Sequence, residues 1–180
     1  MNSVLLSLLN WKAQEEARFT LMMSQGPFEV RLYQKLLCAR VSLEGSFEEA
    51  IKNGMRHITE YLEGTNFKVE KILHAGPCFH LNKVDQWDVG MILPPEMDIL
   101  NVPKPISRFI KIEEWAPCTV GVLRFRGGVT PEIFQRKGEE LKRWIKKRGF
   151  NFQGPLRVSR NDFLLQFPFF RPNEVHLDII

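Results

Sequence analysis

The sequence predicts an α+β domain of two similar halves, in which a largely antiparallel, closed or strongly curved sheet carries one helix per half. Two observations lead to this prediction. Residues 28–45 (FEVRLYQKLLCARVSLEG) and 110–127 (IKIEEWAPCTVGVLRFRG) follow one plan, and a helical pattern follows each of them. A repeat of about 80 residues is too long for a solenoid unit, so it indicates a pseudo-twofold domain with a shared interior. Interiors of this kind tend to leave a cleft where the halves meet.

The composition agrees with one compact domain. The chain has 180 residues, of which 44% are hydrophobic and 26% charged, so it can bury a sizeable core. Its net charge of +4 is weaker than a dedicated nucleic-acid-binding protein needs, and we expect no nucleic-acid partner. The three cysteines are Cys38, Cys78 and Cys118, an odd number without a CxxC pair. This pattern predicts reduced thiols and a cytoplasmic location.

We interpret residues 1–27 as an N-terminal extension and residues 28–180 as a single domain, with halves at about 28–93 and 108–180. The apolar run at 4–11 is far too short to span a bilayer, and no basic residue precedes it as in a secretory signal. The apolar spacing over 4–9, followed by charged residues up to Arg18, predicts a short amphipathic helix. This helix packs on the domain or frays, or alternatively binds a membrane surface or a protein partner.

The first half predicts strand, break, strand and helix. Apolar and polar residues alternate over 28–33, and the apolar phase shifts at 34–36 before a second strand over 37–43. Ser46 and Glu49 have the spacing of a capping box, and Gly64 ends the helix. The apolar face of this helix consists of Phe47, Ile51, Met55, Ile58 and Leu62. Two further strands are predicted at 68–83 and 87–93.

The second half repeats this order after a proline-rich connection. A long strand is predicted over 108–126 with an interruption at Pro117, because proline does not fit a central strand. Thr130 caps the second helix, Pro131 occupies its first position and Gly149 ends it. Closing strands are predicted at 156–160, 163–167 and 174–180.

The sequence offers few candidates for chemistry. His74, Cys78 and His80 share a strand face and are candidate metal ligands, with His74 a weak one, although Gly76 and Pro77 break that regularity and favour structural roles. The adjacent carboxylates of Glu113–Glu114 and Glu139–Glu140 do not have a catalytic geometry. The second helix carries basic residues opposite its apolar stripe, which indicates a solvated face or, alternatively, an anion-binding surface. The residues therefore favour a ligand cleft over an active site.

Three segments resemble the SOUL haem-binding protein family. Residues 28–33 (FEVRLY) are similar to its opening strand, YEVR-x-Y, and residues 49–66 resemble its first helix with the GTN or GKN turn that follows. Residues 173–177 (NEVHL) resemble its closing N-E-V/I-W-L strand. Residues 112–114 and 125–128 fit the middle strand of its second half, and the resemblance extends from Pro27 to the C-terminus.

The resemblance implies a distorted β-barrel of two similar halves and non-catalytic, non-covalent binding of haem or another tetrapyrrole in an apolar groove. The implied groove residues are Lys52, Met55, Thr59, Phe169, Phe170 and Arg171. Apolar and aromatic side chains would cover the porphyrin face, while Lys52 and Arg171 would pair with the propionates. The alternative role for Met55 is that of an ordinary core residue.

The chain also departs from the family pattern. Some members have a histidine, proposed as a haem ligand, where this chain has Leu32, and the family's K-M-T-x-P-V segment is replaced by LHAGPC at 73–78. We therefore expect binding without an axial bond from position 32. The architecture also resembles bacterial effector-binding domains of the gyrase-inhibitor type, in which a cleft glutamate, here Glu114 or Glu174, would hold a cationic small molecule. A third hypothesis is an interaction protein that acts through its N-terminal segment.

Overall fold

The computed structural model describes residues 19–72, 78–83, 86–160 and 173–180. Nine strands and two helices lie along these residues: β1 (Phe19–Gln25), β2 (Phe28–Tyr33), β3 (Leu36–Leu43), α1 (Phe47–Leu62), β4 (Cys78–Lys83), β5 (Gln86–Ile92), β6 (Ile110–Trp115), β7 (Cys118–Phe125), α2 (Pro131–Lys147), β8 (Phe152–Arg160) and β9 (Asn173–Ile179). The helix predicted near the N-terminus and the strand predicted at 163–167 fall outside the described residues.

Local sequence signals place most of these elements correctly. The Ser46 side chain accepts a hydrogen bond from the Glu49 N–H, and the Glu49 carboxylate accepts one from the Ser46 N–H, which completes the predicted capping box. Thr130 caps α2 with Pro131 in its first turn. The breaks between β2 and β3 and between β6 and β7 also lie where they are predicted.

The strand predicted over 68–83 is wrong in its first part. Residues 68–72 form a turn and irregular backbone instead. The fully buried Asn66 side chain causes this, because its Oδ1 accepts hydrogen bonds from the N–H groups of Lys68 and Glu70, both at 3.2 Å. An asparagine that binds backbone groups in this way stabilises a turn in competition with a strand.

The sheet begins earlier than the boundary drawn at residue 28. β1 lies within residues 19–25 and pairs with β2 in antiparallel register, from Phe19 opposite Tyr33 to Gln25 opposite Phe28. The tight turn at Gly26, which has φ 58°, joins the two strands. Part of the predicted extension is therefore an edge strand of the sheet.

The strand order is β1-β2-β7-β9-β8-β4-β5-β3-β6, and every pairing in it is antiparallel. The end strands β1 and β6 are not paired with each other in the described part of the chain. The α+β class with two helices is confirmed, whereas a closed barrel is not.

The strand pairings of the two halves correspond. Exchanging β2, β3, β4 and β5 with β6, β7, β8 and β9 turns the β2–β7 pair into β6–β3, the β3–β5 pair into β7–β9 and the β4–β5 pair into β8–β9. All of these pairs exist. The correspondence concerns connectivity, and pseudo-twofold symmetry in space stays a prediction.

Both helices pack on the same face of the sheet. α1 covers β3 and β5 over a core that includes Met55, Ile58 and Val89, and α2 covers β7, β8 and β9 over Leu141 and Ile145. α1 approaches β5 so closely that a Cβ at Gly54 would lie 2.7 Å from the Val89 Cβ. No helix in the described ranges is long and apolar enough to cross a bilayer.

The face of the sheet that the helices leave uncovered buries charges. Four of the described arginines lie on it, and each is paired with carboxylates. Arg40 contacts Glu113 and Asp88, Arg157 contacts Asp178, and Arg31 contacts Glu29 and Glu174, which the more exposed Arg124 also contacts. The alternation of apolar and polar residues along β2 is typical of a strand with one face in solvent, yet Glu29, Arg31 and Tyr33 are buried on the face that no helix covers.

The Arg31 guanidinium is the most completely paired of the four. Its Nη1 and Nη2 donate to the two oxygens of Glu174 at 2.9 and 2.8 Å, and its Nε donates to Glu29 at 2.7 Å. The second Glu174 contact is His176, whose Nε2 lies 2.8 Å from Oε2. Burial alone would raise the pKa of Glu174, but the bond with His176 and the charge of Arg31 outweigh it and lower the pKa to about 2.

Replacing Glu174 with glutamine should lower the free energy of unfolding by about 3 kcal/mol, the low end for breaking a buried ion pair, because Arg31 keeps Glu29. Urea unfolding of both proteins measures this difference. Glu114→Gln is the matched control, since its partner Lys35 is exposed, and it should leave stability nearly unchanged. Equal decreases in the free energy of unfolding of the two variants would show that the buried ion pair stabilises the protein no more than the exposed one.

Acid should destabilise the protein in two steps. Burial lowers the pKa of His176 below its ordinary value of 6.5, and that of Glu174 lies below its ordinary 4.5. The unfolded chain therefore binds more protons than the folded one, so the free energy of unfolding decreases as the pH is lowered. The loss due to His176 begins below about pH 6.5, and the loss due to Glu174 begins below about pH 4.5. Melting temperatures from pH 7 to 3 measure this loss, and Glu174→Gln should flatten the part below 4.5. A stability that rises on acidification would contradict the assignment.

Candidate functional site

A cavity of about 610 Å³ opens between α1 and the segment that leads into α2. This volume lies within the range of about 300–1,000 Å³ that is typical of small-molecule sites. Its lining consists of Phe47, Glu48, Ile51, Lys52, Met55, Arg56, Thr59, Glu60, Val129, Thr130 and Pro131. We call this cavity the α1 groove.

The floor of the α1 groove is apolar and firmly held. Phe47, Ile51 and Met55 recur on one side of α1 and are 9, 5 and 1% exposed, because they also belong to the core beneath the helix. The Phe47 ring packs edge-on against Trp87, with 4.9 Å between ring centroids. Val129 completes the floor from the second half of the chain and contacts the cores of both helices.

The rim of the α1 groove carries both signs of charge. Lys52 and Arg56 lie one turn apart and are exposed, and neither makes an ion pair with another residue in the described part of the chain. Glu48 and Glu60 stand at the same rim. The N-terminus of α2 lies beside them, and its partial positive charge adds to that of the two cations. An apolar ligand with carboxylates fits the apolar floor together with the two rim cations, Lys52 and Arg56.

Three of the predicted site residues come together here. Lys52, Met55 and Thr59 all line the α1 groove, although their part in binding stays a prediction. Met55 is also a core residue, so both of its proposed roles are compatible with its position. Phe169, Phe170, Arg171 and His74 lie outside the described residues. Leu32 lies on β2 and does not line the groove.

Sequence reasoning missed several lining residues. Ile51 and Arg56 follow from the helical spacing of Lys52, Met55 and Thr59, since residues three or four apart share a helix face. Val129, Thr130 and Pro131 could not be found in this way, because they lie about 70 residues from α1 in sequence and meet it only through the tertiary fold.

A second cavity, of about 460 Å³, opens on the helix-free face of the sheet. Its lining has four carboxylates (Asp88, Glu113, Glu114 and Asp178) and two guanidinium groups (Arg40 and Arg157). The remaining lining residues are Trp115, Ala116, Cys118 and Pro155. Acidic groups thus outnumber basic ones here, whereas the α1 groove has equal numbers.

Reactive groups in the described ranges are engaged or inert. Burial raises the pKa of the Cys118 thiol, and the nearby Asp178 carboxylate raises it further, which disfavours the nucleophilic thiolate. Cys38 is a buried thiol that forms no disulfide with the other described cysteine, in agreement with the prediction of reduced thiols. Glu114 binds Lys35, and Glu174 is buried against Arg31, so neither predicted cleft glutamate is an unpaired carboxylate. No group of three candidate metal ligands occurs among the described side chains. These do not include those of His74, Cys78 and His80.

The basic face of α2 is largely exposed to solvent, and binding of an anion there stays a prediction. Lys137 pairs with Glu140 and Lys142 with Glu139, each at 2.8 Å, which also accounts for the adjacent glutamates. Such pairs stabilise an exposed helix and leave less charge for an anion.

Comparisons with known proteins place this geometry in context. A family model described as SOUL heme-binding protein matches residues 14–178. No curated protein matches the chain at a significant level.

Solved structures share the fold at low sequence identity. The EcmrR C-terminal domain is 15% identical with a TM-score of 0.63, and the match covers 88% of this chain and 99% of that one. A hydrolase from Listeria innocua is 8% identical with a TM-score of 0.60, over 88% and 94% of the two chains. SAV2435 bound to tetraphenylphosphonium is 13% identical with a TM-score of 0.50, over 85% and 93%. At these identities the likeness concerns the fold alone.

Proposed function

Because the chain belongs to the SOUL heme-binding protein family, we propose that it binds haem or a related tetrapyrrole reversibly in the α1 groove and performs no chemistry on it. The observation that carries this proposal is the combination of a buried apolar floor with two rim cations, Lys52 and Arg56, that form no ion pair with any of the described residues. A porphyrin is a flat apolar ring with two propionate carboxylates, so both parts of the ligand find complementary groups.

The residues present fit the porphyrin better than they fit the iron. Phe47, Ile51 and Met55 would cover the ring, and Lys52 and Arg56 would pair with the propionates. The described lining contains no histidine, cysteine or tyrosine, and its only sulfur belongs to the buried Met55. Burial and charge pairing, rather than a fixed axial bond, would therefore supply most of the affinity. When bound, haem would contribute its redox-active iron.

The 460 Å³ cavity on the helix-free face of the sheet supports a second candidate function. SAV2435, which shares the fold, was solved with tetraphenylphosphonium bound. In this chain the 460 Å³ cavity has an excess of carboxylates and an aromatic wall at Trp115, both of which favour a lipophilic cation. Saturable binding of tetraphenylphosphonium by calorimetry, without any response to hemin, would favour this function over haem binding. Failure of both ligands would favour an interaction protein that acts through its N-terminal segment.

Titration with hemin should give a saturable shift of the Soret band at micromolar protein. The dissociation constant of metal-free protoporphyrin should lie within about tenfold of that of hemin, because the described groove has no histidine, cysteine or tyrosine to coordinate the iron. Absence of a saturable shift would contradict the proposed function. Hemin binding without any binding of protoporphyrin would show that an iron ligand, such as His74, supplies most of the affinity. In that case His74→Ala should move the Soret maximum.

Neutralising one rim cation should weaken porphyrin binding by less than about tenfold, because ion pairs at a partly exposed site contribute little. Lys52→Gln and Arg56→Gln test this by hemin titration. Glu60→Gln should instead strengthen binding slightly, since it removes a repelling carboxylate. Arg136→Gln, on the exposed side of α2, is the matched control and should change nothing. Weaker binding in all four variants would rule out specific propionate pairing at this rim.

Filling the α1 groove should abolish porphyrin binding without unfolding the protein. Thr59 is exposed and lines the groove, so Thr59→Trp places a large ring in it without disturbing the core. Asn53→Trp adds the same ring at an exposed position of α1 outside the lining and should bind normally. Circular dichroism verifies the fold of both variants. Normal binding by a folded Thr59→Trp variant would place the site elsewhere.

A further inference from the structure

Six large apolar side chains are exposed on two neighbouring loops, at residues 66–72 and 98–109. They are Phe67 (73% exposed), Val69 (81%), Ile99 (48%), Leu100 (92%), Ile106 (56%) and Phe109 (47%). Single exposed apolar residues are common, but a concentration of this kind marks an interaction site. We call these six residues the apolar loop surface.

Backbone and side-chain bonds hold the two loops together. The Phe67 N–H donates to the Lys104 carbonyl at 3.0 Å, and Asn66 and Pro105 form an antiparallel bridge. The Lys68 Nζ donates to the Asn101 carbonyl at 3.0 Å. These bonds place the two loops side by side, next to the C-terminal end of α1.

The loops are built to present these side chains rather than to bury them. Asp98 Oδ1 accepts hydrogen bonds from the N–H groups of Leu100 and Asn101 at 2.8 and 2.9 Å, which fixes the turn that exposes Leu100. Val69 has φ 55°, an outlier for a β-branched residue. Glycine or asparagine would suit this position better, and an exposed valine adds nothing to the core. Strain of this kind is concentrated at functional positions.

The charges around the apolar loop surface are mainly positive. Residues 66–72 and 98–109 contain four cations (Lys68, Lys71, Lys104 and Arg108) against two carboxylates, Glu70 and Asp98, which is a net charge of +2. All four cations are exposed, and Lys71 also pairs with Glu63 of the adjoining helix end at 2.7 Å. Apolar side chains that enter the headgroup region, surrounded by basic residues that attract anionic lipids, are the features by which proteins dock on a membrane surface.

We propose that the apolar loop surface docks the protein on anionic lipid bilayers. Leu100, Val69 and Phe67 enter the interface, and the surrounding cations contact the lipid phosphates and carboxylates. The alternative occupant, a second copy of this chain, would present the same net positive charge and repel it. This docking is independent of what the α1 groove binds.

Co-sedimentation of the full chain with vesicles tests the proposal. Vesicles of phosphatidylcholine with about a third phosphatidylserine should bind the protein, pure phosphatidylcholine should not, and binding should weaken as salt screens the charges. Val69→Asp combined with Leu100→Asp should reduce binding by at least about tenfold, because both apolar insertion and charge attraction are lost. Both positions are exposed, so the variant should fold.

Met22→Asp is the matched control, since Met22 is 59% exposed but lies on β1 at the other end of the strand order, and it should bind like the parent. Several results would overturn the proposal: no binding to the anionic vesicles, equal binding to neutral ones, or full binding by the double variant. The last of these would assign docking to another segment, such as the N-terminal one. A concentration-dependent dimer that the double variant abolishes would identify a second copy as the occupant.

Discussion

Arg31 requires a carboxylate inside the protein, and Glu174 meets that need only when three strands are in register. The two residues lie on β2 and β9, with β7 between them, so the pair bridges about twice the usual strand spacing of about 4.8 Å. A slip of one residue in either pairing would turn one partner to the helix side of the sheet and break the two-fold hydrogen-bonded contact between the Arg31 guanidinium and the Glu174 carboxylate. The pair therefore specifies the register on which the remaining strands are built.

The two faces of the sheet differ in character, and this difference determines where ligands can bind. The face that packs against the helices is apolar. α1 contributes residues to both the core and the α1 groove, and Met55 belongs to both. The groove floor is thereby as rigid as the core itself, which lowers the cost of ordering it around a flat ligand. The helix-free face is organised by ion pairs instead and offers a cavity of opposite character.

Signals that act within a few residues were predictable from the sequence, and those that depend on distant residues were not. The Ser46–Glu49 capping box and the break at Pro117 are local, and so both helices and the interrupted strands were predicted correctly. Alternation along β2 identifies a polar face but cannot reveal that other strands bury it, as they do at Arg31. The approach of Val129 to α1 is likewise invisible, whereas Lys52, Met55 and Thr59 share a face through helical spacing alone.

The interleaved strand order has a consequence for synthesis on the ribosome. Among the described strands of the first half, none but β1 pairs with β2, because β2 pairs next with β7, as Tyr33 opposite Cys118 shows. Those two residues are 85 positions apart, which translation at about 5–20 residues per second covers in roughly 4–17 s. During that interval the nascent hairpin exposes an unpaired edge and the charge of Arg31 stays hydrated. This interval is the time during which a nascent-chain chaperone would have to cover the exposed strand edge.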